Sequence, residues 1–142
     1  MNVSAERSRT MRAVKSKNTG PEMAVRRLLH GLGYRYSLHK KDLPGKPDIV
    51  LSARGVLIFV NGCFWHGHKC KRGNRQPREN ASYWISKIAR NKARDARNLR
   101  ALQEENWQVL SVWECEVKDL RKLAKRLTTF LNRYQPKKTI RR

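Results

Sequence analysis

The chain has 142 residues, with 33 Lys and Arg against 11 Asp and Glu, for a formal charge of +22. At this length a hydrophobic content of 39% fills one compact core and not two. No apolar run approaches the roughly 18 residues of a membrane span, the polar stretch Met1 to Arg12 does not resemble a secretory leader, and three cysteines cannot all pair with one another. With no acidic block to offset it, the positive surplus points to a polyanionic partner, and away from a membrane protein, a disulfide scaffold or an enzyme of small acids.

Residues 1–18 are basic and weakly patterned, and read as a short helix or a flexible arm. Thr19-Gly20-Pro21-Glu22 is a helix start, with Thr19 as N-cap, Pro21 in the first turn and Glu22 closing a capping box. Val25, Leu28, Leu29 and Leu32 follow at helical spacing, and Gly31 and Gly33 supply the stop. Tyr34 to Leu38 reads as a strand. Leu43-Pro44-Gly45-Lys46-Pro47 is a turn that delivers Asp48 to the start of a short strand, Ile49 to Leu51. Ser52 to Gly55 turns again into Val56 to Val60, an apolar run expected to be buried on both faces.

Residues 61–80 are loop-like. From Tyr83 to about Gln103 the spacing predicts a helix with Ile85, Ile88, Ala89, Ala96, Leu99 and Gln103 on one stripe. Lys92 falls near the middle of that stripe and Asp95 at its edge. Val109 to Trp113 is a further strand, and Leu120, Leu123, Leu127, Phe130 and Leu131 form a last amphipathic helix. The division expected is a basic arm (1–18), a folded domain (19–134) and a basic tail (135–142). The order of elements indicates an α/β domain with a mixed central sheet flanked by helices.

The densest chemistry is Cys63-Phe64-Trp65-His66-Gly67-His68-Lys69-Cys70. Cys63, His68 and Cys70 share this loop, and Cys115, just after the last strand, could meet them in space. Three thiolates and one imidazole form a closed tetrahedral set for Zn²⁺, which makes such an ion structural. It would clip a basic loop that has little apolar area to hold it. The alternative is three free thiols, one or more of them buried. His66, left over, would be held at a fixed angle as a general base, or is a solvated loop histidine.

Asp48 lies between a turn and an apolar strand. If Ile49–Leu51 and Val56–Val60 pair as a hairpin, its carboxylate lies near the end of the second strand. A carboxylate beside the Val60 carbonyl would suit Mg²⁺, which takes few protein oxygens; plain turn chemistry explains Asp48 as well. Glu22 already has its capping role. Asp95 is open to a salt bridge between helix and sheet.

From His66 to Arg100 there are eleven Lys or Arg and two acids, Glu79 and Asp95. Phe64 and Trp65 open this stretch, and Tyr83 and Trp84 lie within it. Cations neutralise phosphates, and flat rings stack on bases or wedge between them. Trp84 is open to a core role, and core packing accounts for Trp107 and Trp113.

These segments resemble the very short patch repair (Vsr) DNA mismatch endonucleases. The resemblance rests on Ser8 to Arg12, Leu43 to Asp48, Asn61 to Cys70, Tyr83 to Ile88, Asn91 with Asp95, and Val112 to Cys115. It implies a restriction-endonuclease-like fold with an added zinc site, acting as a monomer on mismatched duplex DNA, alongside mismatch-repair proteins, in the cytoplasm at the bacterial nucleoid. Members nick one strand 5′ to the thymine of a T:G mismatch. Carried over, Asp48 and the Val60 carbonyl would hold Mg²⁺, His66 would be the general base, and Glu22 and Asp95 would be supporting acids. Cys63, His68, Cys70 and Cys115 would hold zinc. Phe64, Trp65 and Trp84 would wedge beside the mismatch, Met11 and Lys87 would contact the thymine, Asn91 would face the DNA, and residues 1–18 would clamp it.

Two positions depart from the family pattern. Val60 stands in place of threonine, which leaves the carbonyl unchanged. Asn61 stands in place of a second active-site histidine, and an amide hydrogen-bonds a phosphate without carrying positive charge. Other readings of the same residues are a nicking endonuclease with a broader or different target, in restriction or defence, and a catalytically weak mismatch-binding module.

Overall fold

A computed structural model gives the fold and describes residues 19–63, 68, 70 and 80–136. Helix α1 spans Gly20–Gly31. Thr19 caps it, its hydroxyl accepting the Glu22 amide at 3.4 Å, with Pro21 in the first turn. The capping box is only half realised, because the Glu22 carboxylate is buried and engages His39 and Arg26 instead. Strand β1 is Ser37–Leu38, shorter than the strand expected from Tyr34. The reason is local: the Tyr34 amide still closes the end of α1 on the Leu29 carbonyl, at 3.0 Å.

Strands β2 (Ile49–Leu51) and β3 (Val56–Asn61) form the expected hairpin, with Ile49 opposite Ile58 and Leu51 opposite Val56. A 3₁₀ turn at Ser52–Arg54 and Gly55 at φ +68° reverse the chain between them. Helix α2 (Ala81–Glu104) carries the chain back so that β4 (Gln108–Trp113) runs parallel to β3. A second 3₁₀ turn, Glu114–Lys118, leads into α3 (Leu120–Asn132). The four-stranded sheet has the order β1-β2-β3-β4. Its pairings are antiparallel, antiparallel and parallel.

Side-chain alternation divides the core into two faces. Ile49, Leu51, Val56, Ile58, Leu110 and Val112 pack against Val25 and Leu29 of α1 and Leu123, Leu127 and Leu131 of α3. On the opposite face, Val50 and Leu57 pack against Leu102 of α2, with Leu43, Phe59, Trp107 and Val109 around them. Truncating Leu127, which is fully buried, is expected to cost about 2–5 kcal/mol.

Of the predicted stripe of α2, Ile88 alone faces inward. Ile85, Leu99 and Gln103 are exposed, and so is Lys92, whereas Asn91 and Leu102 are buried. The inward face runs through Trp84, Ile88, Asn91, Asp95, Asn98 and Leu102. Half of it is polar (Asn91, Asp95 and Asn98), so hydrophobicity alone selects the wrong side. Among the described residues no helix is long and apolar enough to cross a membrane.

Candidate active site and metal centre

Asp48 immediately precedes β2 and faces the far end of β3. Its Oδ2 accepts the Val60 amide proton at 2.7 Å. Val60 thus meets this carboxylate through its N–H. The turn before Asp48 is fixed by a close approach. Gly45 has φ +77°, and a Cβ there would lie 3.1 Å from the Asn98 side chain and 3.2 Å from the Phe59 ring. A side chain at position 45 would thus be strained and would push on Asn98 and Phe59, which favours glycine in the Leu43–Pro47 turn.

The first turn of α1 brings Glu22 to the same edge of the sheet. It is 2% exposed. Its Oε2 lies 2.9 Å from His39 Nε2 and 3.5 Å from an Arg26 guanidinium nitrogen. His39 follows β1 with φ +50°, and its amide donates to the Asp48 carbonyl at 3.1 Å. Ligand atoms of Glu22, His39 and Asp48 all lie within 4.8 Å of one another.

The Asp48 carboxyl is raised from 3.8 to about 6. Burial is the main cause, the Val60 hydrogen bond opposes it, the charge of Glu22 raises it further and His39 lowers it. Two carboxylates converging in a partly dry pocket repel each other, and a divalent cation is the species that relieves both the repulsion and the desolvation. The donor set, two carboxylates on rigid elements, fits such an ion.

A second cluster lies beyond the ends of β3 and β4. The parallel register pairs Asn61 with Trp113. Two residues past each strand end come Cys63 and Cys115, which is why residues so far apart in sequence meet. Ligand atoms of Cys63, His68, Cys70 and Cys115 lie within 4.8 Å of one another, and the three thiols are not joined as disulfides. The Cys115 Sγ and His68 Nδ1 are 3.7 Å apart. A tetrahedral ion with bonds of about 2.3 Å to sulfur and about 2.0–2.1 Å to nitrogen sets such atoms about 3.6 Å apart. The cluster could therefore hold a metal ion.

Its surroundings hold it ready. The His68 amide donates to the Cys63 carbonyl and the Cys70 amide to the His68 carbonyl, both at 2.9 Å. The Cys63 amide donates to Glu114 at 3.1 Å. The Trp113 ring stacks on His68 with centroids 4.2 Å apart and planes at 12°, so Trp113 serves this cluster, not the core packing expected of it. Arg126 of α3 grips Glu116 at 2.6 Å and the Ser111 carbonyl at 3.0 Å, tying the Cys115 turn to the domain. Burial pushes the Cys63 thiol well above its ordinary range, a penalty that a bound cation reverses.

The other expected residues are placed as follows. Trp84 and Lys87 lie in the first turns of α2. Trp84 is half-buried but belongs to neither apolar cluster. Its ring meets Tyr83 edge-on at 4.9 Å, and the Lys87 ammonium sits 5.9 Å from its centroid. Asn91 is buried and accepts a hydrogen bond from Arg94 at 3.1 Å. Asp95 is half-buried on α2 and is not among the ligand atoms that converge on Asp48. Asn61 is half-buried at the end of β3. Met11, Phe64, Trp65 and His66, with the arm at 1–18 and most of the tail, lie outside the described residues. His39 joins Glu22 and Asp48 without having been expected from the sequence.

Comparison with solved structures places the fold beside the catalytic domain of the homing endonuclease I-Bth0305I, with a TM-score of 0.56 and 20% identity, covering 82% of this chain and 98% of that domain. The fold is thus of the restriction-endonuclease-like kind, and relatives by sequence define the protein as a strand-nicking DNA endonuclease. The chain is 53% identical to the type II nicking enzyme V.XorIIP of Xanthomonas oryzae pv. oryzae, over 92% of this chain and 96% of that protein. It is 40% identical to the DNA mismatch endonuclease Vsr of Escherichia coli, over 84% of this chain and 76% of that one. Residues 2–72 match the family model described as DNA mismatch endonuclease Vsr. The chain belongs to the Vsr family.

Proposed function

We propose that this endonuclease nicks one strand of duplex DNA on the 5′ side of the thymine in a T:G mismatch, with Mg²⁺ as the catalytic ion and Zn²⁺ as a structural one. The observation that carries the reading is the carboxylate pair of Glu22 and Asp48, converging at a sheet edge where β3 ends in Val60 and Asn61. A bound divalent cation supplies Lewis-acid polarisation of a phosphate and its attacking water.

The chain's own residues do the rest. Asp48 and Glu22 hold the ion, with the Val60 carbonyl as a further oxygen, and Asp95 supports them. His66 takes the proton of the attacking water. Asn61 donates a hydrogen bond to a phosphate oxygen. Cys63, His68, Cys70 and Cys115 hold zinc, which fixes the loop that carries His66. Phe64, Trp65 and Trp84 open the stack beside a mismatch that is already poorly stacked. Met11, Lys87 and Asn91 contact the DNA, residues 1–18 clamp it, and residues 135–142 form a basic tail. The enzyme acts as a monomer in the cytoplasm, upstream of proteins that complete the repair.

The test is a panel of end-labelled duplexes carrying each mismatch in varied contexts, incubated with Mg²⁺ or with chelator. A metal-dependent nick 5′ to the mismatched thymine is expected. Equal nicking of matched duplex at a fixed sequence would instead establish the second reading, a nicking endonuclease with a different target, which Asn61 favours.

A further inference from the structure

We propose that His39 is a positioning residue of the carboxylate site: it brackets Glu22 and Asp48 at one separation, so that the pair is preorganised for a divalent cation. The inference rests on the reading of that site given above.

His39 touches both partners by different parts of itself. Its ring reaches Glu22, with Nε2 at 2.9 Å from Oε2. A carboxylate can only accept, so the ring donates from Nε2. Its main chain reaches Asp48, the amide donating to the carbonyl at 3.1 Å. That bond continues the β1–β2 ladder, in which Leu38 stands opposite Ile49. The left-handed backbone at φ +50° is what lets one residue do both: the amide stays in the ladder while the side chain swings off the sheet towards α1. Non-glycine residues adopt that conformation uncommonly, and it persists where surrounding structure enforces it.

The partner needs such a bracket. Glu22 is 2% exposed, and a carboxylate buried to that degree must be held by hydrogen bonds or charge. Arg26 also approaches Oε2, at 3.5 Å, beyond a strong charge-assisted bond. The short contact is the one from His39. Imidazole is a poor ligand for Mg²⁺, so His39 acts through the carboxylate it holds and not by binding the ion. Groups that orient ligating carboxylates in this way typically set metal affinity by 10- to 100-fold.

The test titrates the full-length protein, without DNA, with Mn²⁺ alone, counting free Mn²⁺ by electron paramagnetic resonance. His39→Asn is chosen because asparagine tolerates the left-handed backbone but is too short to reach Glu22. His39→Gln places an amide N–H where Nε2 stood. His39→Asn is expected to weaken Mn²⁺ binding by about tenfold and His39→Gln to recover most of that loss, at a temperature where circular dichroism shows every metal-free protein fully folded; metal-free His39→Asn should melt below native because Glu22 loses its partner. In nicking assays the half-saturating Mg²⁺ concentration should rise for His39→Asn while the rate at saturating Mg²⁺ is kept. Native-like Mn²⁺ binding by His39→Asn would overturn the proposal. So would equal weakness of the Gln and Asn variants, the result expected if the imidazole ligated the ion itself. Asp48→Ala separates this from the underlying reading: if it too binds Mn²⁺ normally, the carboxylate site fails as a whole, and if it alone loses the ion, only His39 is removed.

Discussion

The Asp48 carboxylate accepts the backbone amide of Val60 at 2.7 Å, which locks the start of β2 to the end of β3. Because the bond is to a main-chain N–H, the hairpin register sets the carboxylate's aim. Asp48→Ala should therefore abolish nicking, by a loss of several orders of magnitude in single-turnover rate, and leave the fold and the affinity for duplex DNA close to native. Binding measured with Ca²⁺ and cleavage measured with Mg²⁺ separate the two effects. Cleavage near the native rate would remove Asp48 from the mechanism.

The same residue makes a prediction about stability. Its carboxyl is raised from 3.8 to about 6, so the folded state disfavours the ionised form. The stabilisation is fully present below pH 3.8 and is lost as pH rises through about 6. A shift of about two units corresponds to about 3 kcal/mol at 1.36 kcal/mol per unit, and partial solvent access reduces this to about 1–2 kcal/mol. Asp48→Asn keeps an acceptor for Val60 and removes the charge. In chelator, it should melt higher than the native protein at pH 7 and match it near pH 4. Parallel melting curves across that range would contradict the burial argument, and added Mn²⁺ should stabilise only the native protein.

For the second cluster, the expectation is one tightly held Zn²⁺ per chain. Cys115→Ser is the sharper test than Cys63→Ser, because Cys115 reaches the cluster only through the parallel β3–β4 register. Loss of the ion should lower the melting temperature and release the loop that carries His66, costing nicking activity as well. Elemental analysis of protein purified without chelator decides it, and an absence of zinc would count against the assignment.

Much of this site is legible in the chain. Pro47-Asp48 ahead of an apolar run marks a carboxylate at a strand start, and two consecutive apolar runs joined by Ser52–Gly55 mark the hairpin that aims it. Cys115 could be tied to Cys63 because both follow strands. His39 could not be found this way. It falls between the expected strand Tyr34 to Leu38 and the turn at Leu43, followed by Lys40 and Lys41, and its role depends on a left-handed backbone that no local signal announces. The orientation of α2 failed for a related reason. Its apolar contact with the sheet is made by Leu102 in its last turns, while Asn91, Asp95 and Asn98 lie on the inward face before it. A helix whose inward face is polar is invisible to a rule that seeks the apolar one.

Phe64 and Trp65 are expected to insert beside the mismatch, with Trp84 and Lys87 presenting a ring and a charge from α2. Opening a mismatched step costs less than opening a matched one, and a wedge turns that difference into selectivity. Phe64→Ala combined with Trp65→Ala should weaken binding to a T:G duplex more than binding to its matched counterpart. Equal losses on both duplexes, measured at one salt concentration, would mark the pair as generic contacts.

Asn61→His should raise the nicking rate through chemistry more than through binding. Asn61 ends β3 one residue after Val60. Strand alternation puts it on the side of Phe59, which belongs to the α2 face of the sheet. Val60, whose amide Asp48 accepts, is its immediate neighbour, and we take the Asn61 side chain to meet a phosphate held at Asp48. The native amide gives that phosphate a neutral hydrogen bond, whereas a histidinium adds a charge-assisted one. One such donor in a preorganised site is worth about 2–4 kcal/mol at most. The gain here should be smaller, because the site has formed around asparagine and the helix beside it already carries Lys87, Arg90 and Arg94. The opposing view is that Asn61 marks a different substrate geometry, in which an imidazole misplaces the phosphate. Single-turnover rates on a T:G duplex from about pH 6 to 8 distinguish them. A mutant whose advantage fades as pH rises, after allowance for His66, supports the charge argument, because only the protonated ring brings the extra charge. A mutant slower than native at every pH would mean that the amide itself is the group this site requires.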